Sequence, residues 1–175
     1  MLTTQNIIVA LKNQGINPDL NQIKLINQLL NIKLNKNLTL KKLFFKDDSY
    51  GIYIWGKVGR GKTLISKVYL KLIGRNDFKS FHYIDLMTYV HNELILNSGH
   101  RNPLKKVAQK LTKDINLIFI DEFQVEDVAD AMIIGDLLKL ISGHGTKIIL
   151  TSNAHPNDLY LDGLQRQKFL ASLKI

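Results

Sequence analysis

Eight consecutive residues, Gly56-Lys57-Val58-Gly59-Arg60-Gly61-Lys62-Thr63, follow the spacing GxxxxGK[ST]. Each fixed position in that spacing answers a need of a polyphosphate. Glycines at 56, 59 and 61 permit backbone conformations that turn successive N–H groups toward one point, an anion nest at the start of a helix. Lys62 adds a mobile positive charge for the β- and γ-phosphates, and the Thr63 hydroxyl is placed for Mg²⁺. A chance glycine-rich turn would reproduce the letters without the context. Here the apolar run from Tyr50 to Trp55 enters the turn and a helical pattern leaves it, which is the setting the motif requires.

A second constellation is Asp121-Glu122, directly after the apolar residues Leu117-Ile118-Phe119-Ile120. A carboxylate at the end of a buried parallel strand lies at the ligand-binding edge of the sheet, where Asp121 can hold Mg²⁺, usually through water. Glu122 beside it is then available to polarise a water toward the γ-phosphorus. An Asp-Glu pair is more often a solvated turn, but not after four apolar residues in a chain that already carries the cradle. A third apolar run, Lys147 to Leu150, ends in Thr151-Ser152-Asn153. Asn153 is the candidate there for bonding both the water and the γ-phosphate. No Asn/Thr-Lys-x-Asp segment follows, and the absence of that guanine-reading pattern favours ATP over GTP.

These residues need a scaffold that brings three chain-distant tips together. Apolar residues recur at helical spacing from Gln5 to Leu34, with a break near Gly15 to Pro18 and Asp19 at an N-cap position, predicting two short helices. The lysine-rich stretch Asn35 to Asp48 is the nearest thing to a linker. Strands then alternate with helices: Tyr50 to Trp55, helix Thr63 to Ile73, strand Ser80 to Ile84, helix Leu86 to Leu96, a helix opened by Pro103, strand Leu117 to Ile120, helix Val128 to Ile141 and strand Lys147 to Leu150. This alternation predicts an α/β fold, a parallel sheet sandwiched by helices, with residues 1–48 as a helical N-terminal arm and 49–175 as the P-loop core. In a P-loop fold of the additional-strand class, the strand carrying Asn153 is expected between the cradle strand and the Asp121 strand.

The chain has 175 residues, enough for one domain with one substantial core. It has no cysteine, which removes disulfides and thiolate metal sites and fits a reducing, cytoplasmic setting. Nothing reads as a membrane span or a secretion signal. Net charge is +9, but the lysines are scattered and accompany many asparagines and isoleucines. The clusters Lys33 to Lys46 and Lys105 to Lys113 fit solvated faces better than a nucleic-acid surface, so nucleic acid is not the expected partner.

Taken together, Gly51-Ile52-Tyr53-Ile54-Trp55 with the cradle, Asn102-Pro103-Leu104, Asp121-Glu122-Phe123-Gln124-Val125-Glu126-Asp127-Val128-Ala129-Asp130-Ala131-Met132, Thr151-Ser152-Asn153 and Leu159-Tyr160-x-x-Gly163-Leu164-Gln165-Arg166 resemble the ZapE cell-division ATPases and their mitochondrial relatives, the AFG-one-like ATPases. The resemblance runs from about Gly15 to Leu170. It implies an AAA+-like fold of the additional-strand, catalytic-glutamate type, Mg²⁺-dependent ATP hydrolysis and, in bacteria, association with the division ring and its tubulin-like protein; for the mitochondrial relatives it implies protein quality control. By the same analogy Gln22, in Asp19-x-x-Gln22, faces the adenine, and Arg166 belongs to an arginine-finger motif acting in trans. His82 and His91 sit where the family has a histidine-rich strand and Met-x-x-Val-His, and read as packing or surface groups.

Two departures carry expectations of their own. Lys168 stands where the family tends to have a second arginine, exchanging a planar bidentate donor for a point charge. The family continues past the position of Ile175 into a further strand and a helical lid, so a C-terminally truncated core is expected, with its cradle strand at the sheet edge and a tendency to associate with itself or with a partner supplying the missing part. The residues leave three readings open: a working ATPase, a nucleotide-binding module with little or no turnover, and, less favoured, a DNA-associated loader ATPase of similar core.

Overall fold

The computed structural model describes residues 2–34, 51–161, 163 and 166–173. The predicted lead-in over 35–48, with Tyr50, Leu164 and Gln165, lies outside the described residues.

Two capped helices open the chain. α1 (Thr4–Lys12) starts at Thr3, whose hydroxyl accepts the Asn6 N–H while the Asn6 side chain accepts the Thr3 N–H. α2 (Leu20–Leu30) starts at Asp19 with the same reciprocal box closed by Gln22. Gly15, at φ 77°, makes the reversal between them. The core then alternates as expected: β1 (Gly51–Trp55), α3 (Lys62–Leu72), β2 (Phe78–His82), α4 (Tyr83–Leu96), α5 (Pro103–Thr112), β3 (Leu117–Asp121), α6 (Val128–Gly143) and β4 (Lys147–Ser152). A short 3₁₀ turn at Pro156–Asp158 and α7 (Arg166–Ser172) follow.

All strand pairs are parallel, in the order β1-β4-β3-β2. The strand leading to Asn153 therefore separates the cradle strand from the Asp121 strand, and β1 is an edge strand among the described residues. Every residue of β3 is buried, because alternate side chains serve the two sheet faces. Ile118 and Ile120 join Val90, Val107, Leu111, Ile134, Ile148 and Leu150 on one face. Leu117 and Phe119 join Ile54, Ile65, Tyr69 and Ile149 on the other, where Ile7, Leu11, Ile26 and Leu29 of the arm also pack. Burying a Leu or Ile side chain contributes roughly 1.5–3 kcal/mol, so these four fully buried residues fix the arm to α3 more firmly than its caps do.

One element is displaced from its predicted place. Tyr83 and Ile84 read as strand, yet β2 ends at His82 and α4 begins at once. Pairing with β3 sets the limit: His82 stands opposite Asp121, the last residue of that strand, and no partner remains for Tyr83. Its ring turns into the core against Phe123, while Ile84 is left 71% exposed.

The amino-terminal ends of the strands are tied by Asp77. Arg75 Nε donates to its carboxylate at 2.7 Å and Asn116 Nδ2 at 2.5 Å, and the Asn116 N–H donates to its carbonyl at 2.8 Å. Gly51 permits the close approach of β1 to β4, since a Cβ there would meet the Ile148 carbonyl oxygen at 1.8 Å. No helix among the described residues is long and apolar enough to cross a membrane.

Candidate active site

The cradle hangs between the last β1–β4 contact and the first turn of α3. The Gly56 N–H still donates to the Ser152 carbonyl at 3.3 Å, after which the loop turns through positive φ at Gly56, Gly59 and Gly61. Gly61, in the left-handed conformation at φ 79°, is the N-cap of α3 and brings no side chain to cap it. The first N–H groups of α3 thus face a prospective anion instead of a capping oxygen. Lys57, Val58, Gly59 and Arg60 are exposed, leaving the loop backbone accessible.

Lys62 folds back across this loop. Its ammonium donates to the carbonyls of Gly56 at 2.6 Å and Lys57 at 3.0 Å, and to Asn153 Oδ1 at 3.0 Å. Burial pushes its pKa below that of a free lysine, against the opposing pull of Asp121 and Glu122. Cradle and β4 tip therefore meet through one charged hydrogen bond.

Asp121 is the hub of the second contact. Its Oδ1 accepts from the Thr63 hydroxyl at 2.7 Å and from the Thr151 hydroxyl at 2.5 Å, while Lys67 Nζ lies 3.5 Å from Oδ2. Ile120 and Leu150 are in register, so the next residues of β3 and β4 emerge side by side. Burial opposes the charge on Asp121, but the bonds from Thr151 and Thr63 and the Lys67 ammonium outweigh it and hold the carboxyl below its ordinary range. Thr63 and Asp121 are hard oxygen donors of the kind Mg²⁺ takes. Among the described residues no group of three or more His, Cys, Asp or Glu could hold a metal by itself.

Glu122 points elsewhere. Its backbone sits at φ 54°, unusual for a residue with a side chain. The Thr151 hydroxyl and carbonyl accept from the N–H groups of Glu122 (3.2 Å) and Phe123 (2.7 Å), and Ser152 Oγ donates to the Phe123 carbonyl at 2.7 Å. This stitched turn buries Phe123 completely and leaves the Glu122 side chain 63% exposed, with His82 Nε2 at 3.6 Å. His91 lies 3.0 Å from Asp130. Both histidines are thus surface groups paired with carboxylates.

The structure brings Lys62, Thr63, Asp121 and Asn153 together, with Glu122 beside them. Gln22 reaches the cradle from the arm, but its carboxamide is engaged by the Asp19 N–H at 2.9 Å and the Arg60 carbonyl at 3.1 Å. Arg166 does not join the cluster: its guanidinium donates to the backbone carbonyls of Leu159, at 3.2 Å, and Asn157. Lys168 lies 4.0 Å from Asp136. Two site residues were missed in the sequence. Thr151 was readable as a hydroxyl placed directly after KIIL, in the position matching the aspartate after LIFI. Lys67 gave no signal beyond its place one turn beyond Thr63.

Comparison with known proteins decides the lineage. The family model described as AFG1-like ATPase matches residues 3–175. The chain belongs to the AFG1-like ATPase family. Cell division protein ZapE of Escherichia coli (strain K12) is 36% identical over 123 residues, covering 70% of this AFG1-like chain and 33% of its own. Lactation elevated protein 1 homolog B of Danio rerio is 34% identical over 131 residues, covering 69% and 26%. The chain thus spans about a third or less of the length of these curated relatives. Among solved structures, the DnaC helicase loader matches with a TM-score of 0.60 at 15% identity, over 91% of this chain and 89% of that one. The replication initiator DnaA bound to AMPPCP and single-stranded DNA gives 0.58 at 18%, over 98% and 47%. At these identities the likeness concerns the fold, the AAA+-like P-loop core expected for an AFG1-like ATPase.

Proposed function

We propose that this AFG1-like domain binds ATP with Mg²⁺ and hydrolyses its terminal phosphate, and that it serves cell division as the name of its bacterial relative indicates. The observation that carries this reading is the convergence of two contacts, Thr63 with Asp121 at 2.7 Å and Lys62 with Asn153 at 3.0 Å, at the mouth of a glycine nest.

On binding, Lys62 exchanges its bonds to the Gly56 and Lys57 carbonyls for β- and γ-phosphate oxygens. Thr63 and Asp121 would hold Mg²⁺, which would supply charge neutralisation at the phosphate oxygens. Glu122, exposed and one residue beyond Asp121, accepts the proton of the attacking water, and Asn153 orients that water beside the γ-phosphate. ADP and inorganic phosphate leave. Gly56, Lys57, Val58, Gly59, Arg60 and Gly61 present the phosphate-facing backbone. Arg166 serves a neighbouring copy only after releasing the Asn157 and Leu159 carbonyls. Self-association or a partner that pairs with the β1 edge, a contact with the tubulin-like division protein and a cytoplasmic setting belong to the same proposal.

The test is phosphate release by the purified chain with Mg²⁺ and ATP, alongside nucleotide binding by calorimetry. Glu122→Gln should bind ATP as the parent does and lose turnover. A variant that hydrolyses at the parental rate removes Glu122 from its role, and a parent that binds no nucleotide removes the whole reading.

A further inference from the structure

The Gln22 carboxamide lies between two backbone groups of opposite character. One is an obligate donor, the Asp19 N–H, 2.9 Å from Oε1; the other is an obligate acceptor, the Arg60 carbonyl, 3.1 Å from Nε2. The two partners fix which end of the amide faces which. A single side chain therefore closes the cap of α2 and grips the cradle.

The grip has a geometric consequence. In a planar trans peptide the C=O of one residue and the N–H of the next point in opposite directions. Drawing the Arg60 carbonyl toward Gln22 therefore turns the Gly61 N–H away from the Gln22 carboxamide. Gly61 is also the left-handed residue that starts α3, and a Cβ on it would lie 3.1 Å from Gln22 Nε2. The arm has little room to shift, because Ile26 and Leu29 of α2 are fully buried in the same cluster as Ile65 and Tyr69 of α3.

We infer that Gln22 is a positioning residue for the phosphate cradle, orienting the Arg60–Gly61 peptide from the N-terminal arm, and not a reader of the adenine. The inference rests on the nucleotide-binding reading above for its consequence, but its geometry is independent of it. Recognition of the triphosphate in this chain depends on the arm, and the dependence is the same whatever base the nucleotide carries.

The experiment uses the full chain with Gln22→Met, which loses the grip, and Asp19→Ala, which removes half of the cap but leaves both Gln22 bonds to backbone. Affinities are measured for ATP, GTP and inorganic tripolyphosphate. Gln22→Met should weaken all three by a common factor of roughly three to ten, as expected for one lost hydrogen bond, whereas Asp19→Ala should weaken them less than about twofold. A loss confined to ATP, or an equal loss in Asp19→Ala, overturns the inference. In the isotopically labelled parent, a nuclear Overhauser contact from the Gln22 side-chain amide to the Gly61 α-protons should be present without nucleotide and persist when ADP is added. Its absence in the free protein, or its replacement by a contact to adenine protons, overturns it too. If the parent binds none of the three ligands, the ATPase reading fails while this contact still decides whether the grip exists.

Discussion

The Thr63 hydroxyl donates to Asp121 Oδ1 at 2.7 Å across 58 residues of chain, so the two oxygens expected to hold Mg²⁺ already form one unit. Asp121→Asn should weaken the Mg²⁺-dependent part of nucleotide affinity while leaving metal-free binding through the loop. Titrating ATP with and without Mg²⁺ checks it; an unchanged metal dependence would detach Asp121 from the ion.

Thr151 supports that unit from below. Its hydroxyl bonds to Asp121, and both residues are nearly inaccessible, at 1% and 3% exposure. Thr151→Val would leave a buried carboxylate short of a donor, at a cost of about 1–3 kcal/mol, whereas Thr151→Ser should recover most of the loss. Urea midpoints of the three proteins give the answer, and a Val variant as stable as the parent would contradict it.

Lys62→Ala removes the charged contact to phosphate. Charge-assisted bonds of this kind are worth about 1.5–3 kcal/mol, so ATP affinity should fall by at least tenfold. Trp55 offers a convenient readout, being the single tryptophan of the chain, 54% exposed, adjacent to Gly56 and edge-on to His155 at 4.6 Å. Its emission should change on adding ATP to the parent and stay unchanged at the same concentration in Lys62→Ala.

Acid should weaken the fold through Asp77. Hydrogen bonds from Arg75 and Asn116 outweigh burial and lower its pKa from 3.8 to about 2. A carboxyl depressed in the folded state contributes stability that is complete above its unfolded value and is lost as pH falls toward the folded one. The loss should therefore occur between about pH 4 and about pH 2, with Asp121, also depressed, acting in the same direction. Denaturant midpoints across this range should fall more steeply for the parent than for Asp77→Asn; parallel curves would show that Asp77 carries none of the effect.

Much of this arrangement was legible because local chemistry and the global fold agree. Gly15, Asp19 and Pro103 marked helix ends by backbone rules, and the run Leu117 to Ile120 announced a strand buried on both faces. The strand order was expected from the class of P-loop fold, and β4 does lie between β1 and β3. The start of α4 was not legible, because Tyr83 and Ile84 favour a strand and only the end of β3, invisible locally, denies them a partner. The environments of Gln22 and Arg166 were also out of reach. A motif states residue types at a spacing, whereas the groups they bond, the Arg60 carbonyl for one and those of Asn157 and Leu159 for the other, depend on tertiary approach.

The position of β1 has a consequence for biosynthesis. Its ladder partner among the described residues is β4, which pairs Gly51 with Ile148, so a ribosome delivers the first strand long before the strand that completes its hydrogen bonds. Until then the nascent chain has the packing of α1 and α2 on α3 to draw on, contacts that close shorter loops than the β1–β4 pairing does. Those helices shelter Ile54 from the same side they occupy in the finished protein, giving the waiting strand a cover against pairing with other chains. Stalled nascent chains ending before Lys147 should accordingly resist proteolysis in the arm and α3 while remaining sensitive between β2 and β3, and uniform sensitivity would mean that the arm waits as well.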